Sequence, residues 1–437
     1  MTTPRFSAIV VGGSIAGLTL AHCLDNAAID YLVLEKRSGI DDSALGGAVG
    51  IMPNGARILA QLGLDAAMSR FCEPMAAIHM VYPDGFESSD DWPVLVAERG
   101  VFSLGFPISI LHRRDLLRVL HGALRDQSKI LFNKRVVNIN LTDSGVSVVT
   151  DDDSVYHGAL AVGADGVHSV ARSEAWRIAR PPTTSSCISA EYSAVVGSSN
   201  GVRGLRAGDQ VNRLHDYSTI LLFAGKGGIT SWVIVQKLDR KYTYPNIPRF
   251  SQDDAVHACQ PLRGLRVYRN VMFGDVWDRR ESLAMVALEE GLLPTWHHGR
   301  IVCIGDSVNK VIDSLKSQSF WLLLIPSICQ MTPNFGQGAN TAIEHAAVLA
   351  NALHRLLESR EEPSTQELGD ALDSVHRRLF PHINTVNWTA WVVVRLQSYR
   401  GLLFSLAGRY VVPRLGGYMI SFLAWLLAGS VVLEYLP

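Results

Sequence analysis

No run of like charge in this chain is longer than the acidic triplet Asp151-Asp152-Asp153, and 40 lysines and arginines stand against 41 aspartates and glutamates. That balance excludes the basic stripe that neutralises a phosphate backbone, so no nucleic-acid partner is expected. Cysteine is scarce: Cys23, Cys72, Cys187, Cys259, Cys303 and Cys329 are scattered, with no CxxC pair and no metal-ligand spacing. This speaks against a disulfide framework and structural zinc, and fits reduced thiols in a cytosol-facing protein. A leader peptide is not expected either, because the apolar stretch 8–20 lacks a basic flank and is broken by Gly12, Gly13 and Gly17. No metal cluster and no serine–histidine–aspartate set is legible.

The length, 437 residues, suits roughly two to three domains of about 150 residues each. Near the start, FSAIVV (6–11) is a short apolar run rich in Ile and Val, the pattern of a strand buried on both faces. Gly12-Gly13-Ser14-Ile15-Ala16-Gly17 follows at once, then a helix-like stretch. Such a turn lets the backbone approach a pyrophosphate, and the helix N-terminus offers unpaired N–H groups to it. Ser14 stands where the generic fingerprint has glycine. A second strand, 31–34, ends in Glu35, eighteen residues after Gly17. An acid there accepts hydrogen bonds from a ribose 2′-hydroxyl, which points to an adenine dinucleotide.

Two further strand-to-glycine turns occur. LAVGADGV (160–167) runs into Asp165, with Arg172 beyond, and Asp165 is placed to orient backbone groups or ligand hydroxyls. RIVCIGD (300–306) ends in Asp306, at the strand end where open α/β sheets bind ligands. Between them, 217–225 (YSTILLFAG) and 230–236 (TSWVIVQ) read as strands separated by glycine turns. Tyr192, Tyr217, Phe223 and Trp232 are the aromatics there that can line a pocket or pack the sheet, and Tyr217 is the candidate polar contact.

The ordered set GGSIAGL (12–18), GADGVHSVAR (163–172), GD (305–306) and PNFGQGAN (333–340) resembles the flavin-dependent aromatic hydroxylase superfamily. GIMPNGARILAQLGL (50–64), LEEGLLPTWHHGRIVCIGDSV (288–308) and MTPNFGQGAN (331–340) are most similar to fungal indole-diterpene and meroterpenoid epoxidases of the paxilline-pathway type. The resemblance implies FAD, with Glu35 on the adenosine ribose, Gly50 near the flavin end of the first crossover, and Arg113 or its neighbour Arg114 contacting FAD. It also implies that Asp306 and Ala339 bracket the isoalloxazine, and that Gly336, Gly338 and Ala339 open a helix whose dipole favours reduced flavin. NAD(P)H would dock transiently, since no second nucleotide unit is legible. The implied chemistry is oxygen transfer from O2, through a flavin C4a-hydroperoxide, to a prenyl-chain alkene of a lipophilic terpenoid. Aromatic hydroxylation of a phenol is the alternative.

In that family the Gly-Asp turn runs almost directly into the PNFGQG helix start, yet here twenty residues, 311–330, intervene. Removing them leaves GDSVNKMTPNFGQGAN without a gap. The segment begins with Val and ends with Gln, residues whose codons can carry intron ends, and SFWLLLIPSIC (319–329) shows neither helical nor alternating period. It is read as a translated, unspliced intron; if it is genuine, an inactive flavoprotein becomes the alternative.

Residues 387–437 are dense in Trp, Leu, Val and Phe, and 415–433 is nineteen residues without charge, near the lower limit for spanning a hydrocarbon layer of about 30 Å. Such a segment reads either as a buried helix pair or as a membrane attachment at the cytosolic face. The expected architecture is α/β: a Rossmann-like FAD-binding domain from 1–180 and 291–386, an inserted antiparallel β-rich substrate domain at 181–290, and an apolar helical, possible transmembrane, C-terminus at 387–437.

Overall fold

A computed structural model of the protein describes residues 6–42, 47–91, 93–94, 105–179, 189–215, 218–244, 246–290, 295–308, 336–397 and 431–437, with a few single positions between 406 and 426. Its centre is a six-stranded sheet in the order His297–His298, Ile301–Cys303, Leu160–Gly163, Ser7–Val11, Asp30–Leu34, Ile130–Leu131. All neighbours are parallel except the first pair. The strand Ser7–Val11 lies mid-sheet with Val10 opposite both Val162 and Val33, so both its faces are buried and an uninterrupted Ile/Val run is what the position requires.

Helices Ile15–Asn26, Arg113–Gly122 and Gly338–Ser359 cover this sheet, contributing Leu18, Leu20, Leu24, Leu116, Leu120, Ile343, Leu349 and Leu353 to one core. Each such leucine stabilises the fold by roughly 1.5–3 kcal/mol relative to an exposed one. Helix Thr365–Gln397 packs on Gly338–Ser359 through Leu368, Leu372, Val375, Leu379 and Ile383, spaced three to four residues apart along one face.

A second, seven-stranded sheet runs Arg280–Glu290, Ser189–Asn200, Ile229–Thr243, Ser218–Ala224, Asp209–His215, Ala77–Val81, Glu87–Asp90. It is antiparallel apart from one parallel pair, Asp209–His215 with Ala77–Val81, so two of its strands come from the chain ahead of residue 181. Alternation gives its two faces different neighbours. Trp232 is fully buried on the outer face, over Gly197 and against Phe273 and Trp277, and its Nε1 donates to Ser199 Oγ at 2.9 Å. Tyr192, Ala194, Leu221, Val233 and Val235 share the inner face with Phe223. Phe223 also packs beside Met52 and Met80 on a cluster of Met75, Ile78, Ile108 and Ile110, where the inner face meets the nucleotide-sheet unit.

The expected transmembrane element is corrected: among the described residues no helix is long and apolar enough to cross a membrane. The longest helix among the described residues, Thr365–Gln397, carries Glu367, Asp370, Asp373, Arg377 and Arg378 opposite its buried stripe, a pattern built for packing on protein. Most of 415–433 lies outside the described residues, as does 311–330. The chain end returns to the nucleotide unit: Gln61 Oε1 accepts from Leu433 N at 2.8 Å, Asn351 bonds Val432 O and Glu434 N, and Tyr435 OH donates to Cys23 O at 2.8 Å.

Candidate active site

The glycine turn is built by close approach. Gly12 has φ +106°, and a Cβ there would lie 2.6 Å from the Ala164 carbonyl oxygen; a Cβ at Gly17 would fall 1.9 Å from Gly12 O. These two positions exclude side chains because strand, helix and the second turn meet there. Gly13 N–H donates to Glu35 Oε2 at 2.7 Å, and Arg37 N–H donates to Glu35 Oε1 at 2.9 Å, fixing a carboxylate that is 4% exposed. No side chain caps the helix that starts after Ser14, which leaves its first N–H groups available to an anion.

Ser14 has a partner that spacing alone does not reveal. Arg113 Nη2 donates to its Oγ at 2.6 Å across 99 residues of sequence. Of the two adjacent arginines it is Arg113 that reaches the glycine turn, while Arg114 N–H donates to the capping His112 ring. Arg113 Nη1 is buried without a hydrogen-bond partner, and burial, with Arg37 acting in the same sense, draws the guanidinium pKa down against the opposing charges of Asp306 and Glu35. A buried cation with a free donor beside an uncapped helix start is a setting that a pyrophosphate completes.

Asp165 serves its own helix. Its Oδ2 accepts from Val170 N and Ala171 N at 2.7 and 3.1 Å, at the positive end of Val170–Ile178, while Oδ1 is buried and unpaired. Burial pushes its carboxyl pKa up. Arg172 then ties this motif to the third: Nη1 donates to Ser307 O at 3.1 Å and Nη2 to Val167 O at 2.6 Å, and Ser307 Oγ donates to Gly163 O at 2.7 Å.

Gly305 (φ +62°) makes the Gly-Asp turn, with Ala16 and Ala342 within 3.4 Å of where its Cβ would stand. Its N–H donates to Nδ1 of the fully buried His345 at 2.8 Å. Asp306 projects outward and exposed, near enough to Arg113 for its charge to be felt. The turn thus lies beside the start of Gly338–Ser359, although Asp306 and Gly336 are thirty positions apart in sequence. Gly336 has φ +65°, Gln337 begins the helix without a side-chain cap, and Ala339 is partly buried against the core.

Asn340, fully buried, stitches this helix start to the first crossover. Its Nδ2 donates to Gly50 O and Gly336 O at 2.9 and 3.0 Å, and its Oδ1 accepts Met52 N–H at 2.9 Å. Gln337 adds contacts to Asn54 at 3.1 Å and Met52 Sδ at 2.8 Å. Gly12, Gly13, Ser14, Glu35, Gly50, Arg113, Asp306, Gly336, Gly338 and Ala339 therefore line connected backbone turns, whereas Asp165 turns to its helix and Tyr217 lies outside the described residues. Arg172 was noted beyond Asp165 but given no role, and Asn340 and His345 were not singled out from sequence; Asn and His inside an apolar helix are the available signal, because a buried polar group needs a partner. Among the described residues no cluster of His, Cys, Asp and Glu is arranged to hold a metal.

Residues 5–312 match the model of an FAD binding domain. The chain is 40% identical over 439 residues to the FAD-dependent monooxygenase janM of Penicillium janthinellum, covering 100% of this chain and 87% of that protein. It is 41% identical over 446 residues to FAD-dependent monooxygenase penE of Penicillium thymicola, covering 100% of this chain and 89% of that one. Among solved structures, Klebsiella pneumoniae HpxO complexed with FAD and uric acid superposes with a TM-score of 0.74 at 17% identity, over 97% of both chains. A salicylate hydroxylase substrate complex gives 0.66 at 18%, over 98% of this chain and 99% of that one. These two likenesses concern the fold.

Proposed function

The chain belongs to the FAD-binding-domain family of the fungal FAD-dependent monooxygenases, and on that premise we propose that it epoxidises a prenyl-chain alkene of a lipophilic terpenoid or meroterpenoid. NAD(P)H and O2 are the proposed cosubstrates. The observation that supports an alkene is the aliphatic inner face made by Ala194, Leu221, Val233 and Val235. These aliphatic side chains match the chemistry of a hydrocarbon chain.

Bound and reduced, FAD supplies an electrophilic oxygen atom taken from O2. The chain's own part is binding, orientation and exclusion of water. Gly12, Gly13 and Gly17 would let the backbone meet the pyrophosphate, Arg113 would give its unpaired Nη1 to a phosphate oxygen, and Glu35 would accept from the adenosine ribose. Asp306 would accept from ribityl hydroxyls, with Gly50 near the ring. The helix start at Gly336, Gly338 and Ala339 would favour negative charge on the ring through its aligned N–H groups. On this reading 1–180 and 291–386 form the flavin unit, and 181–290 the body of the substrate sheet.

The test is incubation of FAD-loaded protein with NADPH, labelled O2 and an all-trans polyprenyl alkene, followed by mass spectrometry of products. One labelled oxygen added across a double bond is expected. Label on an aromatic ring of a phenolic probe, with the alkene untouched, would make the protein a hydroxylase instead.

A further inference from the structure

Tyr192 has no exposed surface, yet its hydroxyl has no hydrogen-bond partner. Leaving such a group unpaired costs the fold stability that phenylalanine would not lose. Its neighbours Ala194, Leu221, Val233, Val235 and Leu288 are all apolar. At the other end of this inner face, three strands away, Asn212 is already paired: Gln210 Nε2 donates to its Oδ1 at 2.7 Å and its Nδ2 approaches Met80 Sδ at 3.3 Å. That end packs toward Met52, which Gln337 holds beside the helix start proposed to face the flavin. Asn212 is level with Val196, four residues along the strand from Tyr192, so three strand spacings and that offset make the distance between the two ends about 20 Å, and the side chains between are Val235, Val233 and Leu221.

We propose that the Tyr192 hydroxyl is a specificity-determining anchor, donating a hydrogen bond to a carbonyl or hydroxyl oxygen at the head of an apolar substrate chain whose reacting double bond lies at the Met52 end. This rests on the alkene reading above. It adds that the substrate carries an oxygen separated from the oxidised alkene by about 20 Å of hydrocarbon.

The probes are geranylgeranylacetone, a polyprenyl ketone, and the hydrocarbon in which a methylene replaces its carbonyl. Binding to the FAD-loaded protein is read from the perturbation of flavin absorbance, and epoxide formation separately by mass spectrometry. The wild type is expected to hold the ketone about tenfold more tightly than the hydrocarbon, ~1.4 kcal/mol. Tyr192→Phe is expected to bind both as the wild type binds the hydrocarbon, with Tm unchanged or raised. Equal affinity for the two probes in the wild type overturns the anchor, as does an equal loss for both in the variant with a lowered Tm, which marks a packing role. Discrimination that Tyr192→Phe erases, without any epoxide, upholds the anchor and removes the alkene reading. Epoxide formed without discrimination does the reverse.

Discussion

Replacing His345 by asparagine separates two jobs of one buried imidazole, supporting the Gly-Asp turn and titrating. In the folded protein its Nδ1 accepts the Gly305 N–H, its ring lies 4.9 Å from that of Trp296, and it has no exposed surface. Burial, helped by the charge of His382, pulls its pKa from the ordinary 6.5 down to about 3. The unfolded chain therefore takes up a proton below pH 6.5 that the native state refuses until about pH 3. Stability contributed by this site is complete above pH 6.5 and is lost as pH falls through that window. Each pH unit costs up to about 1.4 kcal/mol, so acidifying from about pH 6.5 to 4.5 removes roughly 2–3 kcal/mol. Asparagine keeps an acceptor near the position of Nδ1 but does not titrate, and its smaller volume costs ~1–2 kcal/mol at every pH. The offset is constant, so the slope is the measurement. Urea unfolding followed by circular dichroism at both pH values should show the wild type losing roughly 2–3 kcal/mol more than His345→Asn. His22 and His376, whose pKa values are also lowered by burial, are present in both proteins and cancel. Parallel declines would refute the buried-neutral assignment.

Two other perturbations address the flavin site. Arg113→Met removes the donor to Ser14 and the unpaired Nη1 together. Losing a charged hydrogen bond worth about 1.5–3 kcal/mol should weaken FAD binding roughly 10- to 100-fold in a fluorescence titration, and unchanged affinity would remove Arg113 from the cofactor. Deleting residues 311–330 should give tighter FAD retention through gel filtration than the full chain, because the Gly305–Ser307 turn already lies against Gly338–Ser359 and the family match stops at residue 312. Equal retention and equal NADPH oxidation in both forms would show that the segment belongs to the working protein.

Much of the nucleotide unit is legible in sequence because its constraints are local. A strand buried on both faces must be apolar throughout, a turn where a Cβ would lie 2.6 Å from a neighbouring carbonyl oxygen must be glycine, and a carboxylate stands eighteen residues on, at the end of the next strand. Short apolar runs bounded by glycine turns likewise marked the strands around Ser218–Ala224 and Ile229–Thr243. The same reasoning could not tell which face of that sheet is inward, and so left Trp232 and Tyr192 equivalent. Packing separates them, placing Trp232 against Phe273 and Trp277 on the outer face and Tyr192 on the inner one. Nor does apolarity near the chain end distinguish a lipid-facing surface from a protein-facing one: Leu433 and Tyr435 return to Gln61 and Cys23. The bonds of Arg113 to Ser14, Arg172 to Ser307, Asn340 to Gly50 and His345 to Gly305 join residues 40 to 290 positions apart. Short-range chemistry determined the turns, and only folding decided which distant polar groups would be buried together and so be obliged to pair.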